Sequence, residues 1–128
     1  MTVSCLFHDY SDYECSSETL IAVYLSHSDA ETGLLEYVAR GERLYAENQE
    51  FEGRYRECHQ RNRTPIKVKK GIEKALAERR EQYAAEIQKI ADDQKAWRMK
   101  EFGQDWSDIP DTDINNYHID EVEIGVIR

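Results

Sequence analysis

Two apolar repeats with a period of seven residues constrain the fold of this 128-residue chain more than any other feature. The members of the first repeat are Tyr37, Leu44, Phe51 and Cys58, and those of the second are Leu76, Tyr83, Ile90 and Trp97. Side chains seven residues apart lie on one face of an α-helix, as in the seam of a coiled coil. The repeats therefore predict two long helices that pack on each other.

Local signals set the expected ends of these helices. The segment Ser28–Glu31 matches a capping box, so the first helix is expected to start at Asp29. Thr64 suits the cap of the second helix and Pro65 its first position, because proline lacks the N–H that is unpaired there. The turn between the helices is short, so they should form an antiparallel hairpin over residues 29–103.

Three segments have the residue types and alternation of β-strands. They are Val3–His8, Thr19–Leu25 and Tyr117–Ile127. The polar residues 9–17 predict a long loop between the first two strands, which should pair antiparallel. The third segment changes its alternation near Asp120, which predicts a register slip or bulge there. Residues 104–116 are interpreted as an acidic loop before this strand.

These elements predict a single α+β domain. A small antiparallel sheet of about three strands should come from residues 1–27 and 117–128, with the coiled-coil-like helical hairpin inserted before the last strand. No apolar run is long enough for a membrane span, and the N-terminus lacks the pattern of a signal peptide. Three irregularly spaced cysteines favour a reducing compartment. A cytoplasmic location is therefore expected, without membrane contact.

The net charge of −9 conceals a strongly basic segment. Residues 54–80 contain ten basic and three acidic residues, a local charge of +7, which leaves −16 for the rest of the chain. The candidate binding residues at this basic tip of the hairpin are Arg56, Arg61, Arg63, Lys67, Lys69 and Lys70. Three interpretations stay open: contact with the phosphates of RNA or DNA, docking on an acidic protein, and a solvated end without a partner.

An acidic segment follows the second helix. Residues 105–123 contain seven carboxylates and no lysine or arginine. The candidate acidic surface consists of Asp105, Asp108, Asp111, Asp113, Asp120 and Glu121. Such a surface could imitate a nucleic-acid backbone in front of a basic groove. A Mg²⁺ or Ca²⁺ site and a solvated loop are the alternatives, although the spacing does not match a calcium-binding loop.

The cysteines and histidines do not form a recognisable catalytic or metal-binding motif. Only Cys5 and His8 have a zinc-like separation, and on a strand they would face opposite ways. Cys15 with a distant histidine would be a nucleophile without a placed base. We therefore expect no catalytic residue, no metal and no cofactor.

Short motifs at both ends of the chain resemble small uncharacterised proteins encoded by phages and prophages. These motifs are Asp12-Tyr13-Glu14 in the strand connection, the capping box Ser28–Glu31 and the closing strand Tyr117–Ile124. The resemblance covers about the first 40 and the last 12 residues. It implies an accessory or counter-defence protein, for example an anti-CRISPR protein, that acts in the cytoplasm of the host cell.

The expected function is therefore that of a non-catalytic inhibitor, which binds a host or defence protein or nucleoprotein complex. Dimerisation through the hairpin would cover apolar surface that the small sheet leaves open. The alternative is a nucleic-acid-binding protein that uses the basic tip.

Overall fold

The computed structural model describes residues 1–12, 15–67, 70–104 and 108–125. The elements in chain order are β1 (Thr2–Ser11), β2 (Ser16–Tyr24), α1 (His27–Arg63), α2 (Ile72–Phe102), a 3₁₀ turn (Ile114–Asn116) and β3 (Tyr117–Glu123). The α+β class is confirmed, with the last strand after both long helices. Within the described residues, no helix contains a stretch that is long and apolar enough to cross a membrane.

The chain divides into two compact units. The first consists of Met1–Leu44 and Ile109–Arg128, and the second of Tyr45–Asp108. Helix α1 contributes residues to both units. The first unit contains the sheet, and the second contains the paired parts of the two helices.

The sheet has the strand order β2-β1-β3 with antiparallel pairing throughout. The β1–β3 register runs without a break from Thr2 opposite Glu123 to His8 opposite Tyr117, so the slip predicted near Asp120 is wrong. The irregularity lies between β1 and β2 instead, at Leu6 and Phe7. Strand β3 needs no slip because it carries apolar residues on both of its faces. The predicted strand residues Val126 and Ile127 lie outside the described part of the chain.

The connection between β1 and β2 is much shorter than predicted. Pairing continues through Asp9 opposite Glu18 and ends at Ser11 opposite Ser16, so most of the expected loop 9–17 is strand. The Asp12 carboxylate closes the turn by accepting the N–H of Cys15 at 2.8 Å. The polar side chains of these residues are mostly exposed to solvent. Their polarity therefore does not prevent the backbone N–H and C=O groups from pairing between the two strands. Tyr13 and Glu14 of the resemblance motif lie outside the described residues.

Helix α1 covers one face of the sheet. Leu6, Val38 and Tyr117 form the buried cluster, and Tyr24, Leu34, Tyr37, Ile21 and Ile119 pack around it. Gly41 allows the acidic loop to approach the helix closely, because a Cβ there would lie 2.5 Å from the carbonyl oxygen of Pro110. Gly41 therefore has a packing role.

Helix α1 begins earlier than the sequence predicted. It starts at His27, and the Ser26 hydroxyl oxygen accepts the Asp29 N–H at 3.1 Å. The prediction of a cap at Ser28 is wrong because Ser26 forms the same type of cap two residues earlier.

The second unit is an antiparallel pair of helical segments, as predicted. Later residues of α1 meet earlier residues of α2. Asn48 accepts a hydrogen bond from Gln94 at 3.0 Å, whereas His59 lies 2.8 Å from the Tyr83 hydroxyl. The Phe51 and Trp97 rings lie 5.6 Å apart. Ile90 and Cys58 are buried between the helices.

Helix α2 begins at Ile72 and not at Pro65 as predicted. Thr64 does not cap α2; its hydroxyl donates to the Gln60 carbonyl at 3.0 Å and so belongs to the end of α1. Gly71 precedes α2 with a left-handed φ of 75°, a conformation that glycine adopts without steric cost. The backbone therefore changes direction at Gly71, seven residues after Thr64.

Candidate functional site

The candidate site is the end of the second unit where α1 stops and α2 starts. We call it the cationic end and define it by the exposed basic residues Arg56, Arg63, Lys67 and Lys70. All four were predicted as binding residues. The other two predicted residues differ: Arg61 is held in a local ion pair, and Lys69 lies outside the described residues.

Two arginines at this end stabilise the local structure. Arg61 forms an ion pair with Glu86 of α2. The Arg79 guanidinium donates hydrogen bonds to the backbone carbonyls of Arg61 and Thr64. Carbonyl groups at a helix C-terminus lack partners within the helix, so Arg79 satisfies groups that would otherwise face water. Both arginines therefore already have partners within the second unit.

The four residues of the cationic end differ from Arg61 and Arg79 in their ion-pair partners. Among the described residues, none of the four has an acidic partner within ion-pair distance. Arg56 and Arg63 lie seven residues apart in α1, so they share a face and are separated by about 10 Å along the helix axis. Lys74 and Arg80 of α2 are also exposed and add positive charge. This end therefore carries a concentrated positive potential that attracts anionic groups.

Apolar side chains lie beside these charges. Ile72 is 50% exposed and Leu76 is 37% exposed, and as residues i and i+4 of α2 they share one face. The seven-residue repeat predicts Leu76 in the seam of the hairpin, but the structure leaves this side chain exposed. The seam is buried at Ile90 and Cys58 but does not extend to the first turns of α2.

A pocket of about 410 Å³ opens at the same end. Its lining includes Ile66, Ala75, Arg79, Tyr83 and the buried Cys58. Burial and the nearby Glu86 carboxylate raise the pKa of the Cys58 thiol. The thiol therefore remains protonated near neutral pH and does not act as a nucleophile there. The lining of the pocket is mixed, and its two arginines, Arg61 and Arg79, are matched in number by Glu78 and Glu86.

The predicted acidic surface is distributed over several local structures. Asp113 accepts the N–H of Asn115 and so caps the 3₁₀ turn, and Asp108 is exposed. Asp120 and Glu121 are successive residues of β3 and therefore point to opposite faces of the sheet. Asp105 lies outside the described residues.

Asp111 is turned into the first unit. Its carboxylate accepts hydrogen bonds from His8 at 2.9 Å, from the Asn116 amide at 2.7 Å and from the Asp113 N–H at 3.0 Å. These three donors, with the Asp113 backbone contributing most, lower the pKa of Asp111 to about 2. The Tyr117 hydroxyl donates to the Asp111 carbonyl at 2.6 Å, and burial raises the pKa of Tyr117 to about 12. Asp111 thus anchors the acidic loop.

The cysteine and histidine candidates of the sequence analysis lie apart from each other. Cys5 and His8 are three positions apart in β1 and occupy opposite faces, as expected. Cys15 lies exposed in the β1–β2 turn.

Comparison of the chain with protein-family models, with curated proteins and with solved structures found no match. The resemblance to phage proteins therefore stays a prediction.

Proposed function

We propose that this protein is a non-catalytic binding protein that docks on an acidic protein surface through its cationic end. The observation that carries the proposal is the position of Ile72 and Leu76, which are exposed among cations that have no acidic partner within the described part of the chain. Protein interfaces combine apolar anchors with a charged rim that steers association. A surface that contacts only phosphates gains little from exposed isoleucine and leucine, because it works through cationic and polar groups.

The proposed mode of action is competitive occupation of the partner. The charges of Arg56, Arg63, Lys67 and Lys70 would orient the protein during encounter. The apolar pair Ile72 and Leu76 would provide the buried centre of the interface. A phage-encoded inhibitor of a bacterial protein or nucleoprotein complex, acting in the host cytoplasm, fits this description and the resemblance stated above.

The test is differential capture from a bacterial extract that has been treated with nuclease. The immobilised proteins are the wild type, the variant Arg63→Glu/Lys67→Glu, and the matched control Lys89→Glu/Lys100→Glu, which changes the same charge at exposed positions of α2. We expect one protein to be retained by the wild type and the control and to be lost from the first variant. Equal retention by all three proteins would contradict the proposal, as would retention that disappears with nuclease.

Nucleic-acid binding is the second candidate, and the spacing of Arg56 and Arg63 along one helix face favours it. A protein that contacts several phosphates loses affinity steeply as salt rises, with a slope of about −0.9 per phosphate on duplex DNA. Fluorescence anisotropy with labelled duplex DNA and single-stranded RNA at two salt concentrations would measure this slope. Size exclusion with light scattering on the same samples would separate a nucleic-acid complex from a homodimer.

A further inference from the structure

A histidine surrounded by carboxylates lies on the face of the sheet opposite the buried Leu6 cluster. His118 of β3 contacts Asp9 of β1 through Nδ1, at 2.7 Å from Oδ2. Its Nε2 lies 3.2 Å from Oε2 of Glu18 on β2 and 3.3 Å from Oδ2 of Asp120 on β3. All three strands of the sheet therefore contribute to one cluster, and it belongs entirely to the first unit.

The sheet register places these groups together. Asp9 lies directly opposite Glu18 in the β1–β2 ladder, and His118 lies opposite Phe7 in the β1–β3 ladder. Directly paired residues of antiparallel strands point to the same face, with their Cβ atoms about 5 Å apart. The Phe7 ring stacks on the His118 imidazole at 5.0 Å with 18° between the planes, which orients the imidazole.

The cluster contains more negative than positive charge. Three carboxylates surround one imidazole, so a net charge of −2 remains even when His118 is protonated. The side chains are reachable from solvent, with exposures from 31% for His118 to 59% for Asp120. The hydrogen bond to Asp9 is the main cause that raises the pKa of His118.

We propose that Asp9, Glu18 and His118 form a binding site for a divalent zinc ion. One potential ligand atom from each residue lies within 4.8 Å of the other two, all among the described residues. In a tetrahedral zinc site, ligand atoms about 2.1 Å from the ion lie about 3.4 Å from one another, so side-chain rotations that bring these atoms closer together would close the site. The combination of imidazole nitrogen with carboxylate oxygen suits zinc, whereas Mg²⁺ and Ca²⁺ select oxygen ligands alone.

Zinc replaces a proton in this site. The imidazole must be neutral to donate its lone pair, so binding of Zn²⁺ to protonated His118 releases one proton. Asp120 lies beside the imidazole and supplies a further carboxylate that can hold the ring or a zinc-bound water. The three proposed ligands come from three different strands, so the bound ion would link the strands and stabilise the first unit.

Isothermal titration calorimetry with ZnCl₂ tests the proposal on the full chain carrying Cys15→Ser, after removal of metals with a chelator. That substitution removes the one exposed thiol among the described residues. We expect one zinc ion per chain, at least tenfold weaker binding in Glu18→Gln and loss of binding in His118→Gln. Millimolar Mg²⁺ should not compete.

Two control variants separate this site from other zinc-binding groups. Glu121→Gln removes a carboxylate from the same strand but the other face, and His27→Gln removes the exposed pair of His27 with Glu31. Neither control should weaken zinc binding. Unchanged affinity in Glu18→Gln would overturn the proposal, as would loss of binding in His27→Gln.

Nuclear magnetic resonance of the wild-type protein keeps the test valid if a variant fails to fold. Zinc should shift the ring signals of His118 and leave those of His59 in place. If the ring signals of His118 do not move at one equivalent of zinc, the proposal is wrong. This proposal is independent of the cationic end, which belongs to the other unit.

Discussion

His8 and His118 lie on neighbouring strands of the same sheet, and both contact carboxylates, but their charge environments differ. His8 meets the single carboxylate of Asp111, which also accepts hydrogen bonds from Asn116 and from the backbone. His118 meets three carboxylates. In the first cluster, which we call the balanced cluster, the Asp111 carboxylate receives all of these hydrogen bonds from groups of the fold itself, and it anchors a loop. The second keeps a negative excess that a cation from solution can neutralise.

The second unit shows the same distinction with the opposite sign. Arg61 and Arg79 are satisfied by Glu86 and by backbone carbonyls, so they stabilise the helix end. Arg56 and Arg63 are exposed and lack such partners among the described residues. The charge of a residue therefore does not identify a binding residue. The number of partners that the fold already provides is the better guide.

The largest effect on stability should come from the balanced cluster. Asp111→Ala removes the acceptor of three hydrogen bonds and leaves His8 and Asn116 without it. We expect the free energy of unfolding to fall by about 2–3 kcal/mol. The matched change Asp120→Ala, in the cluster with excess carboxylates, should alter it by less than about 0.5 kcal/mol. Urea unfolding of both variants measures the difference, and equal losses would contradict the distinction between the clusters.

Acid should weaken the same cluster. The pKa of Asp111 is about 2 in the folded protein, below its ordinary value of 3.8. Its contribution is therefore complete above pH 3.8 and is lost as the pH falls towards 2, with a total of roughly 2 kcal/mol. Urea unfolding between pH 2 and 5 should show a steeper loss for the wild type than for Asp111→Ala. Parallel curves would show that Asp111 is not the group responsible.

His118 should give a smaller effect of the opposite sign. Its pKa is raised above 6.5 in the folded protein. In the metal-free protein its contribution is complete below pH 6.5 and is lost as the pH rises through the raised value. His118→Gln should remove this dependence while leaving the acid-range behaviour unchanged. An imidazole titration by nuclear magnetic resonance with an unshifted midpoint would argue against the clustered carboxylates.

The sequence was sufficient for features whose residues are close along the chain. The seven-residue repeats predicted the helix pair, and the density of basic residues marked the cationic end. The cluster at His118 was missed because its ligands are at positions 9, 18 and 118, and only the strand register joins them. Interpreting residues 9–17 as a loop removed Asp9 from the sheet.

Helix ends were predicted less well because equivalent local signals compete. Ser26 and Ser28 both precede an acidic residue by three positions, and the fold uses Ser26. Leu76 continues the heptad pattern but is exposed, because a repeat shows which face a residue shares and not where the partner helix stops packing. The apolar part of the proposed docking surface could therefore be recognised only from the structure.

The most direct test of the account asks whether charge and apolar surface act together at the cationic end. The variant Ile72→Ser/Leu76→Ser keeps every basic residue and changes only the exposed apolar pair. The measurement is its affinity, on a biosensor, for the partner captured from nuclease-treated extract, beside that of Arg63→Glu/Lys67→Glu. We predict at least tenfold weaker binding for both variants. Unchanged binding by the serine variant, with binding abolished by charge reversal, would contradict protein docking and favour a purely electrostatic ligand such as nucleic acid.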